Sequence, residues 1–308
     1  IRPDGWRQSM PQALRDRWDW EAHATTRRTT GGPSPRTREQ NPGYSIAEAA
    51  IAQMEDAVAK DEPFLCWAAF AEPHPPFFPP AELYRTFDQS QIPLPPQAPP
   101  GTGAPHEYIT EKRKEWAHLS EIEVRQMLAG YYGLVSLVDG YAGMVLDALE
   151  RLGIRDDTVI IWTSDHGDQM WEHEMFLKFC MYEASVHVPL VVDIPGKPAG
   201  TCSDLVEHID LLPTICELTG AEIPDTAQGR SLRAMLEGED SGDSWRDAVF
   251  SQIGNVQMIR TAEWKLNVYK GELGELYDLE SDPNEFDNRI ADPACSTTVG
   301  SMLSRLKD

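Results

Sequence analysis

The stretch that decides the fold is TVIIWTSDHGDQMWEHEMFLK, Thr158 to Lys178. Its first half is a short continuous apolar run, the pattern of a β-strand buried on both faces. The run stops on Ser164-Asp165-His166-Gly167, and acids, histidines and Lys178 crowd the turns that follow. In an open α/β sheet, ligands collect at the carboxyl ends of the strands, so charged groups at a strand tip mark a candidate site. Asp165 there either caps the next helix or aims its carboxylate at a divalent cation that offsets its desolvation. Gly167 is expected where the backbone turns sharply just after those side chains.

Working outward, helical and strand patterns alternate. SIAEAAIAQMEDAVAKD, from Ser45, has apolar residues at helical spacing, and PFLCWAAF after it reads as a second strand buried on both faces. That strand ends in Glu72-Pro73-His74-Pro75, where closely spaced prolines forbid regular structure. A helix is expected from about Ser120 to Leu152, stopping at Gly153. VPLVVDIPG reads as a third strand and HIDLLPTICELTG as a helix ending at Gly220. The alternation predicts an α/β domain with a largely parallel sheet. After about Gly238, AVFSQI, VQMIRTAEWKLNVYK and GELYDLES are short alternating segments, followed by a last helix near TVGSMLSRLKD. Residues 1–237 are therefore expected to form the α/β catalytic domain and 238–308 a small antiparallel-sheet subdomain. Residues 1–43, rich in Arg, Thr, Pro and Gly, read as an irregular surface connection.

Composition bounds the partners. The chain has 41% hydrophobic and 25% charged residues, as an ordinary soluble globule does. Its formal net charge of −23 excludes a broad nucleic-acid surface, which needs basic patches. No apolar run approaches the ~20 residues of a membrane span, so none is expected. Cys66, Cys180, Cys202, Cys216 and Cys295 form neither a C-x-x-C pair nor a disulfide framework and read mostly as buried small hydrophobes. The chain opens on Ile1 without a signal-like segment, and an incomplete N-terminus is expected. The compartment stays unassigned.

The ordered motifs carry a family resemblance. TSDHGDQMWEHEMFLKFCMYEASVHVPLVVDIPG resembles the S/T-D-H/N-G, E-H-G, G-K-x-x-x-Y-E and V-R-V-P-L series of sulfatases and phosphonate monoester hydrolases, in the alkaline phosphatase superfamily. PFLCWAAFAEPHPPFFPP, HIDLLPTICELTGAEIP, QGRSLRAML, RTAEWKL and GELYDLESDPNE resemble further family elements in the same order, from about Ile46 to Ile290. The resemblance implies an alkaline-phosphatase-like α/β sandwich, its first strands missing, with a small C-terminal antiparallel α+β subdomain. It implies metal-dependent hydrolysis of sulfate esters, with Asp165 and His166 as half of a metal site. Lys178 would neutralise charge on the sulfuryl oxygens, and His74 would hydrogen-bond the sulfate or assist the leaving oxygen. His173 and His187 are candidate substrate contacts. The family's usual ion is calcium, with manganese the alternative because imidazole suits softer ions. The expected partner is a sulfated small molecule or glycan, with a missing N-terminal segment or a second copy of the chain as further candidates.

The family's formylglycine nucleophile arises in C-x-P-S-R or S-x-P-x-R, and neither motif occurs in these 308 residues. Two further departures are His187, where the family has Arg, and Glu174, where it has Gly. A phosphonate or phosphate diester hydrolase on the same framework, or an inactive sulfatase-like binding protein, are the alternative readings.

Overall fold

The structure, a computed structural model, describes residues 31–197, 199–238 and 245–307. Helices α1 (Pro42–Lys60), α2 (Ala81–Thr86), α3 (Glu107–Lys114) and α4 (Glu121–Leu152) precede strand β1 (Ile160–Thr163). Then come α5 (Glu183–Val186), β2 (Leu190–Asp193), α6 (Leu211–Thr219) and α7 (Arg233–Leu236). Strands β3 (Ala248–Ile253), β4 (Val256–Thr261), β5 (Trp264–Tyr269) and β6 (Glu272–Asp278) lead to α8 (Ser296–Lys307). Two compact units result, one from Ile1–Leu94 with His118–Thr158 and one from Pro95–Ala117 with Val159–Asp308.

The first unit is built on α4. Its start is set by a capping box, in which Ser120 Oγ accepts from the Glu123 N–H and the Glu123 carboxylate accepts from Ser120 N–H. Gly153 ends it in the left-handed conformation, as the sequence predicts. By length and composition α4 is the one described helix apolar enough to cross a membrane. Val124, Met127, Leu128, Leu134 and Leu137 on it are buried, and it packs against α1 and α2, the arrangement of a core helix. Tyr141 stacks on Phe70 and meets Tyr44 edge-on.

Three expectations need correction here. PFLCWAAF forms no ladder among the described residues, and Leu65 and Trp67 are 70% and 84% exposed. Its residues alternate between half-buried and exposed, so it is extended chain with one covered face, not a strand buried on both. The irregular connection expected over residues 1–43 is partly ordered. Gly31 and Ser34 bridge Phe77 and Pro80 in parallel, Ser34 is buried, and α1 begins at Pro42. Residues 1–30 lie outside the described residues. Finally, Cys202 is exposed and Cys66 and Cys216 are half-buried, leaving Cys180 and Cys295 as the buried thiols.

In the second unit β1 pairs with β2 in antiparallel fashion, Ile160 opposite Asp193 and Thr163 opposite Leu190. Trp162 and Val191 are 38% and 60% exposed on this ribbon, so β1 is not the strand buried on both faces that its apolar run led one to expect. Strands β3 to β6 form an antiparallel meander in sequence order. One face of the meander buries Ile259, Leu266, Val268 and Leu276 with Met302 of α8, as the alternating C-terminal segments require.

Ser120→Ala removes the side chain that opens α4 and is expected to lower unfolding free energy by about 1 kcal/mol, measured by urea denaturation.

Candidate functional site

His74 belongs to the first unit. Its N–H donates to Ala71 O, and its exposed ring places Nδ1 2.8 Å from the Pro75 carbonyl. A carbonyl only accepts, so Nδ1 carries the proton. The loop is anchored by Glu72, whose carboxylate accepts from Gly43 N–H in the first turn of α1. Burial raises the Glu72 carboxyl above its usual range.

The other sequence-predicted residues lie in the second unit. Beyond β1 the chain turns on its own side chains: Ser164 Oγ donates to His166 O, and Asp165 Oδ1 accepts from His166 N–H. Thr163 Oγ1 donates to Pro189 O, tying the end of β1 to the start of β2. His166 Nδ1 lies 2.8 Å from Gly167 O and so donates, which leaves Nε2 as the lone-pair nitrogen. That Nε2 is 3.6 Å from Asp165 Oδ2. Gly167 is required by close approach and not by a turn at positive φ. A Cβ there would sit 1.9 Å from Ala184 O, and Gly167 N–H donates to Ser185 O.

Asp165 and His166 thus supply a carboxylate and an imidazole nitrogen whose tautomer is set by its other nitrogen, as metal-bound histidines require. Among the described residues no group of three or more His, Cys, Asp or Glu side chains is placed to hold one ion. The pair supplies two donors, fewer than a calcium or manganese ion takes.

Lys178 sits at the end of a contorted loop. Met170, Trp171, His173, Glu174, Leu177 and Phe179 all have positive φ, a conformation costing about 1 kcal/mol or more per non-glycine residue. Asp168, to which the sequence assigned no role of its own, holds this loop: its Oδ1 accepts from both Met170 N–H and Leu177 N–H. Burial raises the Asp168 carboxyl, and the charges of Lys178 and His166 act against that rise. Further anchors come from α3 and its flanks. Arg113 Nε donates to His173 O, Tyr108 OH to Phe179 O, and Trp116 packs edge-on against Phe176. Glu174 has φ +59° and an Arg113 nitrogen at 4.0 Å. That left-handed backbone explains physically why a glycine suits this position.

His173 is 5% exposed, stacked at 3.8 Å on Tyr182 and set against Phe286. Burial, reinforced by the charges of Arg113 and Lys265, lowers it to about 3, so its ring is neutral at pH 7. His187 is more open, and its Nδ1 lies 3.1 Å from Glu183 Oε2, a hydrogen bond that raises its basicity. Both histidines line a cavity of about 260 Å³ with Glu172, Glu183, Asn284 and Glu285. Behind it the fully buried Lys265 ammonium lies 2.6 Å from Glu183 and 2.7 Å from Glu285. Burial alone would raise the Glu183 carboxyl, but His187, Lys265 and Arg260 hold it well below the usual range. Burial wins at Glu285, which rises to about 7 despite Lys265.

Comparison with known structures places this fold in the alkaline-phosphatase-like class. The phosphonate monoester hydrolase from Silicibacter pomeroyi matches with a TM-score of 0.79 at 26% identity, over 94% of this chain and 67% of that one. The multifunctional alkaline phosphatase superfamily protein PehA of Trinickia caryophylli is 31% identical over 94% of this chain and 63% of its own length. Arylsulfatase K of Bos taurus is 30% identical over 77% of this chain and 49% of its own length. The chain thus spans between about a third and two thirds of the length of the curated relatives it matches. Residues 7–221 match the sulfatase family model, and 171–308 match the C-terminal model of N-sulphoglucosamine sulphohydrolase. The chain belongs to the sulfatase family.

Two stability measurements check the site's physics. Between pH 6.5 and 3 the unfolded chain binds a proton at His173 that the folded chain does not, so stability falls as pH drops. From pH 6.5 to 5 this group is expected to account for about 2 kcal/mol, seen as a smaller pH dependence of urea unfolding in His173→Gln. Glu174→Gly is expected to match or exceed wild-type stability by up to about 1 kcal/mol, with Glu174→Ala showing no such gain.

Proposed function

We propose that this chain is the greater part of a metal-dependent sulfuric ester hydrolase, with the α/β catalytic domain in residues 1–237 and an appended antiparallel subdomain in 238–308. The observation that carries the reading is the organised Asp165-His166-Gly167 turn within a chain of the sulfatase family. In this reading Asp165 and His166 contribute to a divalent-metal site, calcium first and manganese as the alternative. When bound, such a cation stabilises negative charge on the ester and the attacking group. Lys178 grips a sulfuryl oxygen as a point charge, and the strained loop pinned by Asp168 keeps its ammonium from retreating into solvent. His74, with Nδ1 committed to Pro75 O, exchanges a proton through Nε2 with the leaving oxygen. The nucleophile, a formylglycine, is supplied from outside these 308 residues. The substrate is a sulfated small molecule or glycan.

A second reading, a phosphonate monoester hydrolase, is favoured by the likeness to the Silicibacter pomeroyi enzyme. Turnover of 4-nitrophenyl sulfate against a 4-nitrophenyl phenylphosphonate separates the two, using a polypeptide that carries the nucleophile segment with these residues. The sulfatase reading expects the sulfate to be preferred in kcat/KM, and a preference for the phosphonate overturns it. Asp165→Ala and Lys178→Ala are each expected to lower kcat by about a hundredfold or more. Unchanged turnover in Asp165→Ala would sink the metal assignment.

A further inference from the structure

A lysine grips an oxyanion well only where its ammonium is held, because a flexible four-carbon stem otherwise lets the charge wander. The residue after Lys178 bears on this. Lys178 Nζ lies 6.0 Å from the centre of the Phe179 ring, and Lys112 Nζ, from α3, lies 5.6 Å from the same centre. Both ammonium groups are within the ~6 Å over which a ring's negative face attracts a cation. All three residues belong to the second unit.

The second observation is how the ring is placed. Phe179 has φ +81° and is 43% exposed, so neither backbone preference nor burial of its ring accounts for its position. A bulky residue in the left-handed region is kept there by contacts made elsewhere. Here the contact is Tyr108, whose OH donates to Phe179 O at 2.7 Å. Tyr108 is in turn stacked on the buried Tyr269 of β5, with ring centroids 5.0 Å apart. A line of contacts thus runs from the meander through α3 to the ring beside Lys178.

A ring also differs in kind from a carboxylate partner. It attracts an ammonium through its quadrupole but brings no net charge. The lysine keeps its full charge, and its three donors stay available to an oxyanion. Asp168, whose carboxyl feels the charge of Lys178, commits its Oδ1 to two backbone N–H groups. Lys112 already meets Glu115 at 3.1 Å, so its charge is matched where it stands.

We propose that Phe179 is a positioning residue for the oxyanion grip: its ring face holds the Lys178 ammonium, charged and with donors to spare, where the ester's anionic oxygens arrive. The effect on turnover rests on the hydrolase reading; the contact between ring and ammonium does not.

Each part has its own measurement. On the 308-residue chain labelled with ¹³C-lysine, the Lys178 ε-methylene proton signals are assigned by their loss in Lys178→Arg. The ring current of Phe179 is expected to move them upfield of lysines distant from any ring, and Phe179→Leu to abolish that displacement. Lys178 signals at the ordinary lysine position overturn the proposal, whatever the activity. On a polypeptide that also carries the nucleophile segment, Phe179 is replaced by phenylalanines bearing one, two or three ring fluorines, which weaken the ring's negative face and change its size little. With 4-nitrophenyl sulfate, kcat is expected to fall stepwise, by about two- to fivefold across the series, and to be retained in Phe179→Trp. A merely structural ring would not follow the fluorine count. The trend is expected to persist in Lys112→Ala and to vanish in Lys178→Ala, and a trend abolished by Lys112→Ala overturns the proposal. A flat series in an enzyme that Lys178→Ala cripples sinks the proposal alone. Ring-shifted Lys178 signals in a polypeptide that hydrolyses neither ester sink the hydrolase reading alone.

Discussion

One ammonium group, Lys265 Nζ, holds the second unit's chemistry together. It projects from β5 with no solvent exposure and lies between Glu183, at the start of α5, and Glu285, in the loop after β6. Glu183 N–H in turn donates to the Glu285 carboxylate. The C-terminal meander is thereby fastened to the segment whose next two residues, Ala184 and Ser185, receive the Gly167 backbone. A buried ion cluster is a poor source of net stability, because desolvation offsets most of its Coulomb attraction. Its effect here is positional. An apolar trio of the same volume would pack as well, but it would lack the directional contacts that join Glu183 and Glu285 to Lys265.

The loop that bears Lys178 shows the opposite economy, with a strained backbone restrained from several directions. Six left-handed residues in ten would not persist in isolation. They persist because Asp168, Tyr108 and Arg113 bond the loop's backbone and Tyr182 stacks beneath His173. Tyr182 is itself fixed by the fully buried Glu275, which also accepts from Tyr269 OH, Asn267 Nδ2 and His106 N–H. A carboxyl group with four donors and, among the described residues, no cation makes a rigid pedestal, since losing any donor leaves a buried acceptor short of a partner.

How much of this was legible depended on range. Local signals read correctly: the helix start near Ser120, the Gly153 and Gly220 stops, the positions of β1 and β2 though not their burial on both faces, and the alternating C-terminal segments. PFLCWAAF was misread because a continuous apolar run carries no information about whether a ladder partner is present. The direction of β2 against β1 was equally hidden, since helix-strand alternation does not by itself specify the sense of each strand. Asp165, His166 and Lys178 stood out by their position after a strand. Asp168, Arg113, Tyr108 and Lys265 did not, because their roles come from contacts made through folding, and Lys265 looks like any exposed lysine of an alternating strand.

The two departures from the family's pattern have different physical standing. Glu174 occupies a left-handed position where glycine is unstrained, so it carries a cost, and its 4.0 Å approach to Arg113 at a largely exposed carboxylate offsets little of it. His187 carries none. An arginine there would add a permanent charge beside Glu183, yet Arg260 and Lys265 already match Glu183 and Glu285. Arg260 and Lys265 meet Glu183 without His187, so a hydrogen bond to Glu183 is what the position supplies, and an imidazole donates it through Nδ1 in either protonation state. The histidine is tolerated because the meander brings its own cations, which links the C-terminal subdomain's sequence to a residue some seventy positions upstream.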